Sequence, residues 1–426
     1  MSQSLNSASR QPTAIHRPPG TLFALLVCLS ICPGPVAGET GAQDNSLKQR
    51  IEILERQLST QQEGSIADKQ AAQTGAEKDN EAPVKLGGAL RFNYFTSDHS
   101  DDLKNRYGDT GLDLFRLNAD GQFGKLFLSA EYRFYRYMNT IHHGYVGYQL
   151  SDNSEIQGGI TRVPFGLLPY GAHNFWFGVP YYLGLADDYD SGIKYQTRQG
   201  GWDTQLAFFK NEELGNAGDL ARYSYDPVTT GATANQETNT VNARVAYTFN
   251  RDSSCAHEVG LSAQGGQLYN ADTAEDGDHW AAAGHLDTHC GRWNFQLQLA
   301  RYAYNPENPT GISDDTVTVG AFLDSYEIAS RGNLYVANVA YNLPVNWPGI
   351  QLLTCYNDFS MLDKQISGFD NSYINTTGCL INAGPTYTYV DIIRGKNMIY
   401  LGDGSLADGG SQDWETRFNI NFGIYW

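Results

Sequence analysis

From Lys85 to Trp426 the chain follows a period of two. Val241, Ala243, Val245, Tyr247 and Phe249 share one parity, with Asn242, Arg244, Ala246 and Thr248 between them. Leu126, Leu128, Ala130, Tyr132 and Phe134 oppose Ser129, Glu131, Arg133 and Tyr135. Trp293, Phe295, Leu297 and Leu299 oppose Asn294, Gln296 and Gln298. The last residues, Glu415 to Trp426, repeat the pattern, with Phe418, Ile420, Phe422, Ile424 and Trp426 apolar. Successive side chains of a strand point to opposite faces, so each run has an apolar face and a polar one. Sixteen runs read this way, near 86–95, 111–122, 125–137, 141–151, 154–163, 189–198, 202–210, 238–250, 256–269, 278–289, 292–304, 331–343, 349–360, 375–383, 385–400 and 414–426. No helical pattern separates them, which argues against a parallel βαβ architecture.

The connections sort by length. Phe123-Gly124, Asp152-Asn153, 199–201, 251–255, Cys290-Gly291, 344–348 and Gly384 are short. Between them fall 96–110, 138–140, 164–188, 211–237, 270–277, 305–330, 361–374 and 401–413, all long except 138–140. Short turns on one rim, long loops on the other and charge on one face only are what a barrel with lipid outside and water inside requires. The fold class expected is all-β, a 16-stranded antiparallel transmembrane β-barrel over 85–426. An even strand number brings both barrel ends to the short-turn rim. Tyr148, Trp202, Trp293, Tyr400 and Trp426 near strand ends fit interfacial girdles. A lumen of this size is too wide for wall side chains to fill.

Composition changes the picture in three places. Forty-five glycines and 27 tyrosines in 426 residues suit turns and strands. A net charge of −18 makes nucleic acid an unsuitable partner, and any anion preference must come from local placement. Residues 1–38 form an export signal: Arg10, His16 and Arg17 precede the apolar run Thr21–Ile31, and Val36-Ala37-Gly38 offers a cleavage site. That run is too short to span a bilayer as a helix. Leu47, Ile51, Leu54 and Leu58 make a short heptad seam within 39–63, and 64–84 reads as a flexible linker. Export leaves four cysteines in an oxidising compartment. Cys355 and Cys379 are each twelve residues from Ser367, as opposed positions of a hairpin would be, and Cys255 and Cys290 lie in neighbouring short turns. Two disulfides or four free thiols both fit.

Together the signal, the seam, Gly158-Gly159-Ile160-Thr161-Arg162-Val163-Pro164-Phe165-Gly166 running into a long third loop, and the ending Arg417-Phe418-Asn419-Ile420-Asn421-Phe422-Gly423 resemble trimeric porins of the phosphate-selective (O and P type) and dicarboxylate-type superfamily. The resemblance covers about 84–426. It implies a homotrimer in the bacterial outer membrane, its N-terminal segment in the periplasm, and a third loop folded inward as a constriction. Phosphate channels of that group carry a ladder of lumen arginines and a lysine cluster; this chain departs from them with 29 basic residues in all and few strand lysines.

Parity places Arg91, Arg116, Arg133, Arg244 and Arg417 inside. Four of these belong to the last strand and the first three, so ring closure would set four guanidiniums side by side near mid-height. Lys194 and Arg198 would extend this basic wall. Its alternative is pairing with acids such as Glu131 or Asp120. The third loop, 164–188, carries Tyr170, His173, Trp176, Tyr181, Tyr182, Asp187 and Asp188. Acids there, facing arginines, would set a field across the opening. Asp101-Asp102, Glu212-Glu213 and Asp314-Asp315 in the long loops read as solvated, with lipopolysaccharide bridging through divalent cations as the other option. The function expected is passive diffusion of small hydrophilic, preferentially anionic, solutes. A sugar-specific porin and an adhesin or anchor are the alternatives. His142, His143, His285 and His289 lack zinc spacing and no Gly-x-Ser-x-Gly occurs, so neither an enzyme nor a cofactor or metal is expected.

Overall fold

The computed structural model describes residues 83–231 and 233–426. The export signal, the coiled coil over 39–63 and nearly all of the linker over 64–84 lie outside them. The strands are β1 (Val84–Ser97), β2 (Asp109–Phe123), β3 (Leu126–Tyr135), β4 (Asn139–Ser151), β5 (Ser154–Arg162), β6 (Tyr189–Gln199), β7 (Trp202–Glu212), β8 (Asp226–Pro227), β9 (Asn235–Phe249), β10 (Cys255–Asn270), β11 (Asp276–Cys290), β12 (Trp293–Asn305), β13 (Thr316–Ala321), β14 (Asp324–Ala329), β15 (Arg331–Leu343), β16 (Leu352–Lys364), β17 (Ser372–Ala383), β18 (Thr386–Lys396) and β19 (Trp414–Tyr425). Sixteen of them close into one antiparallel barrel; β14, β13 and β8 form a separate small sheet. All sixteen alternating runs are barrel strands. The small sheet, and a one-turn helix α1 (Asp101–Asn105), sit in the long connections, where the period-two pattern marks no strand.

Ring closure is the pairing of β1 with β19, in register from Ala89 opposite Tyr425 to Ser97 opposite Arg417. It leaves no barrel strand with an unpaired edge, which is the condition for a sheet to stand in hydrocarbon. Three short turns begin on glycine at positive φ, Gly124 at 65°, Gly291 at 60° and Gly384 at 60°. Tight hairpin turns demand that left-handed conformation, and a Cβ disfavours it. Both cysteine pairs are disulfides between directly opposed residues: Cys255–Cys290 joins the short-turn ends of β10 and β11, and Cys355–Cys379 joins β16 and β17.

The two parities behave as different surfaces. Leu261 is 72% exposed, and Leu117, Val241, Leu297 and Leu299 are likewise outward and exposed. Trp202, Trp293, Tyr148 and Trp426 lie on this outer face. Tyr400 does not; it lies in the eighth loop against Tyr182 and Tyr326. The inward parity is polar at mid-barrel but not throughout. Near the long-loop rim Tyr302, Leu334, Leu362, Ile374 and Ile393 point inward and are buried, packed with Val179, Leu183, Val317, Val319, Ile328, Met398 and Leu406 from the long loops. A lumen that wall side chains alone could not fill is thus filled at one end by loops, with an apolar core of their own.

Leu261, in the middle of β10, tests the outer face. Leu261→Arg should destabilise the folded barrel in a bilayer by about 2–4 kcal/mol, measured as denaturant unfolding from vesicles; a change under ~0.5 kcal/mol, the usual range for a surface site, would mean that this face does not meet lipid.

Candidate functional site in the barrel interior

The third loop, residues 163–188, leaves the wall at Arg162 and rejoins it at Tyr189. Its middle is bonded to the far side of the ring, with six strands between β6 and β16 one way round and seven between β5 and β16 the other. The main anchor is Asp358 on β16. Its carboxylate accepts from His173 N (2.7 Å), His173 Nδ1 (2.7 Å), Asn174 N (2.9 Å) and Asn174 Nδ2 (2.8 Å). Asn294 on β12 bonds His173 Nε2 at 2.6 Å, and Ser360 on β16 accepts from Val179 N. Closer to its start, Gly166 N donates to Ser262 and Leu167 N to Gln298, while Asn338 donates to Gly171 O and Gln296 to Tyr170 O. These partners lie on inward positions of β10, β12, β15 and β16. Polar residues that parity marked only as a wet wall therefore serve as loop anchors.

The inward arginines are largely compensated. Arg116 and Arg133, opposed across β2 and β3, share Glu131 at 3.3 and 2.6 Å. Arg91 pairs with Asp113 at 2.6 Å. Arg244 bonds Glu258 at 2.6 Å, lies 3.5 Å from Asp203 and donates to Gly166 O. Arg198 is exposed beside Asp203, and Lys194 is buried and donates to Arg162 O. Pairing with acids, the alternative noted above, is what the structure has for most of the wall, because an unpaired charge in a packed interior costs too much. Nor do the four arginines share one level. Arg417 is opposite Ser97, six residues along β1 from Arg91, or about 20 Å of strand.

Arg417 is the exception. No salt bridge reaches it among the described residues, and its Nε has no hydrogen-bond partner. The guanidinium lies between the rings of Phe95 (4.2 Å) and Trp176 (4.5 Å). Arg91 likewise stacks on Phe175, so both cations meet one aromatic dipeptide of the third loop. Cation–π contact holds such a cation without neutralising it. Arg91, Asn93, Phe95, Asp113, Arg133 and Arg417 stay half-buried, whereas inward residues of β15 and β16 around the loop anchors are sealed. These partly exposed inward residues gather on β1 and the adjoining parts of β19, β2 and β3, where Arg116, Glu131, Asn419 and Asn421 are themselves buried.

Asp187 and Asp188 diverge. Asp187 pairs with Arg162 at 3.3 Å and accepts from Tyr223 at 2.5 Å. Asp188 joins a buried group of acids; burial, with the neighbouring Glu237 and Glu213 charges, pushes its carboxyl well above the usual range. Glu212 and Glu213, expected to be solvated, are buried: Glu212 accepts from Leu214 N and Gly215 N, and Glu213 from Tyr223 N and Ser224 N. Arg162, His142 and Arg222 complete this interior network and were not among the sequence candidates. Arg162 stacks on Tyr170 and Tyr189, His142 lies 3.7 Å from Glu131, and Arg222 is fully buried between Glu212 and Asp226. The signals available for Arg162 were its place in the Gly158–Gly166 motif and at the strand-to-loop junction.

No known family's sequence profile matches this chain, and no curated protein sequence matches it. Solved structures do. The anion-selective porin of Comamonas acidovorans is 14% identical and covers 81% of this chain and 100% of its own, with a TM-score of 0.52. A loop-deletion form of the Vibrio cholerae outer-membrane protein OmpT is 14% identical, covering 80% and 99%, at 0.51. Salmonella typhi OmpF, complexed with daunomycin, is 12% identical, covering 80% and 97%, at 0.54. The chain has the fold of the outer-membrane porins. At these identities the likeness is one of fold.

Removing the main anchor should free the loop. Asp358→Ala should cost about 3 kcal/mol or more, as loss of a buried charged partner does, and expose 164–188 to protease while the barrel stays folded; an uncut loop would show that the other anchors suffice. The pH dependence has a definite sign. Burial opposes the charged imidazole of His173, but the hydrogen bond and charge of Asp358 outweigh it and raise its pKa. The tether is then at full strength below about pH 6.5 and weakens as pH rises through the raised value. Loop protection should fall over that range, and His173→Asn should flatten the profile.

Proposed function

We propose that the protein is an outer-membrane diffusion channel for small hydrophilic solutes, with a preference for anions set beside Arg417. The observation that carries the proposal is the third loop tied across the barrel to β16, which would narrow the interior to a passage along β19, β1, β2 and β3. Arg417 is a guanidinium on that side with no carboxylate partner among the described residues, held by Phe95 and Trp176 where it would meet a passing anion. The compensated arginines would polarise the passage without dominating it. The fold likeness to a protein described as an anion-selective porin is consistent with this reading. A homotrimer, lipid and lipopolysaccharide contacts, and a periplasmic N-terminal segment belong to the same proposal, carried by the sequence resemblance. A sugar-passing channel is the second reading, favoured by Phe175 and Trp176 on the loop, since aromatic faces bind sugar rings.

Reconstituted single channels decide between these. Arg417→Ala should lower the anion-over-cation permeability ratio severalfold. Arg116→Ala should change it less, because Glu131 already answers that charge. Cation selectivity in the unmodified protein, unchanged by Arg417→Ala, would remove the anionic reading; saturable block by neutral oligosaccharides would favour the sugar one.

A further inference from the structure

Where the third loop rejoins the wall, acids from three separate segments meet inside the barrel. Asp188 ends the loop, Asp190 is the second residue of β6, and Asp226 belongs to β8 in the fourth loop, 213–234. One carboxylate oxygen from each lies within 4.8 Å of the others, and none of the three residues is more than 7% exposed. Glu213 and Glu212, from the end of β7 and the residue after it, are buried nearby. Arg222 answers part of this charge, 3.5 Å from Asp226 and 3.7 Å from Glu212. Lys194 is buried on the same face of β6. Were these five ionised, the two cations would leave three negative charges in a closed interior, before the neighbouring Glu237 is counted. Gathering that much like charge away from water is strongly unfavourable unless something answers it.

A second observation says what could. Asp188 Oδ1, Asp190 Oδ1 and Glu213 Oε2 are buried oxygens with no hydrogen-bond partner among the described residues. The other Glu213 oxygen is held by Tyr223 N and Ser224 N at 3.1 and 3.0 Å, which fixes that carboxylate in place. The group thus offers buried, unpartnered carboxylate oxygens beside an anchored carboxylate. All donors are hard oxygens; no thiol or imidazole belongs to the three-acid set, so the chemistry suits Ca²⁺ or Mg²⁺ and not a softer transition metal. Acids drawn from several loops and a strand, with no enforced octahedron, favour Ca²⁺ of the two.

We propose that Asp188, Asp190 and Asp226, with Glu213 beside them, bind a divalent cation of the calcium class, which fastens the returning limb of the third loop to β6 and the fourth loop. The site lies away from the loop's Asp358 anchor, so the loop is held at two places by different chemistry. It is independent of which solute the channel passes.

The test uses the intact, detergent-purified folded protein, stripped with EDTA. Ca²⁺ titration should raise the thermal midpoint along a saturating curve, and Mg²⁺ should do so only at higher concentration. Tb³⁺ excited through tyrosine should luminesce, since Tyr223 and Tyr225 flank Ser224 and Asp226, and Ca²⁺ should quench it by displacement. Asp190→Asn should abolish both responses. Asp101→Asn with Asp102→Asn, on the exposed α1, should leave both intact and so exclude binding to surface acids. Glu213→Gln is the substitute if Asp190→Asn fails to fold. The proposal is overturned if the stripped protein melts at the same temperature with and without Ca²⁺, or if the Tb³⁺ signal survives Asp190→Asn. It is also overturned if Asp190→Asn is more stable than the unmodified protein at saturating Ca²⁺; the acids would then be answered by protons, Arg222 and Lys194 alone.

Discussion

The pairing of β1 with β19 is the constraint from which the rest follows. A sheet with an apolar outer face can stand in hydrocarbon only if every strand has two neighbours. Once Ala89 meets Tyr425 and Ser97 meets Arg417, parity around the ring is locked, and a one-residue slip would turn every outward leucine inward. The chain's last residues are apolar for that reason. Phe418, Phe422 and Ile424 belong to a strand with a neighbour on each side in the closed ring.

Closure also creates the second problem, a wide interior. The long loops answer it in two layers. Near their rim they bury an apolar core against inward Leu334, Leu362 and Ile393. Below it the third loop crosses to Asp358, and the crossing is held by charge-assisted hydrogen bonds, which are the strong ones. Interior charge is then arranged by the same economy that governs any protein core. Arg116 and Arg133 share Glu131, Arg91 takes Asp113, and Arg222 lies among acids. Arg417 escapes pairing because aromatic rings, and not carboxylates, surround it. A basic wall inferred from parity becomes a largely balanced lining in which, among the described residues, Arg417 has aromatic rings and no carboxylate for partners.

The strands, the ring order and the outer face were legible in the sequence. A period of two is a local property, and the sorting of short from long connections needs no coordinates. Gly124 and Gly291 mark their turns by residue type. Cys355 and Cys379 could be placed opposite one another by counting, because strand register is arithmetic, but whether they joined depended on geometry. Tyr400 was misplaced because an aromatic near a strand end looks the same whether it faces a headgroup or folds into a loop.

What the loops do was decided only in three dimensions. His173 and Asp358 are 185 residues apart, and no pattern in either segment names the other. Glu212-Glu213 looks like a solvated loop pair until the fourth loop turns back and buries it. Alternation tells which side of a strand a residue occupies, but not what comes to meet it from the far wall. By itself the sequence determined the barrel, because side-chain alternation and backbone pairing act on each strand locally. The tertiary structure decided the interior, because the groups that meet there, as Asp358 meets His173 and Trp176 meets Arg417, come from distant parts of the chain.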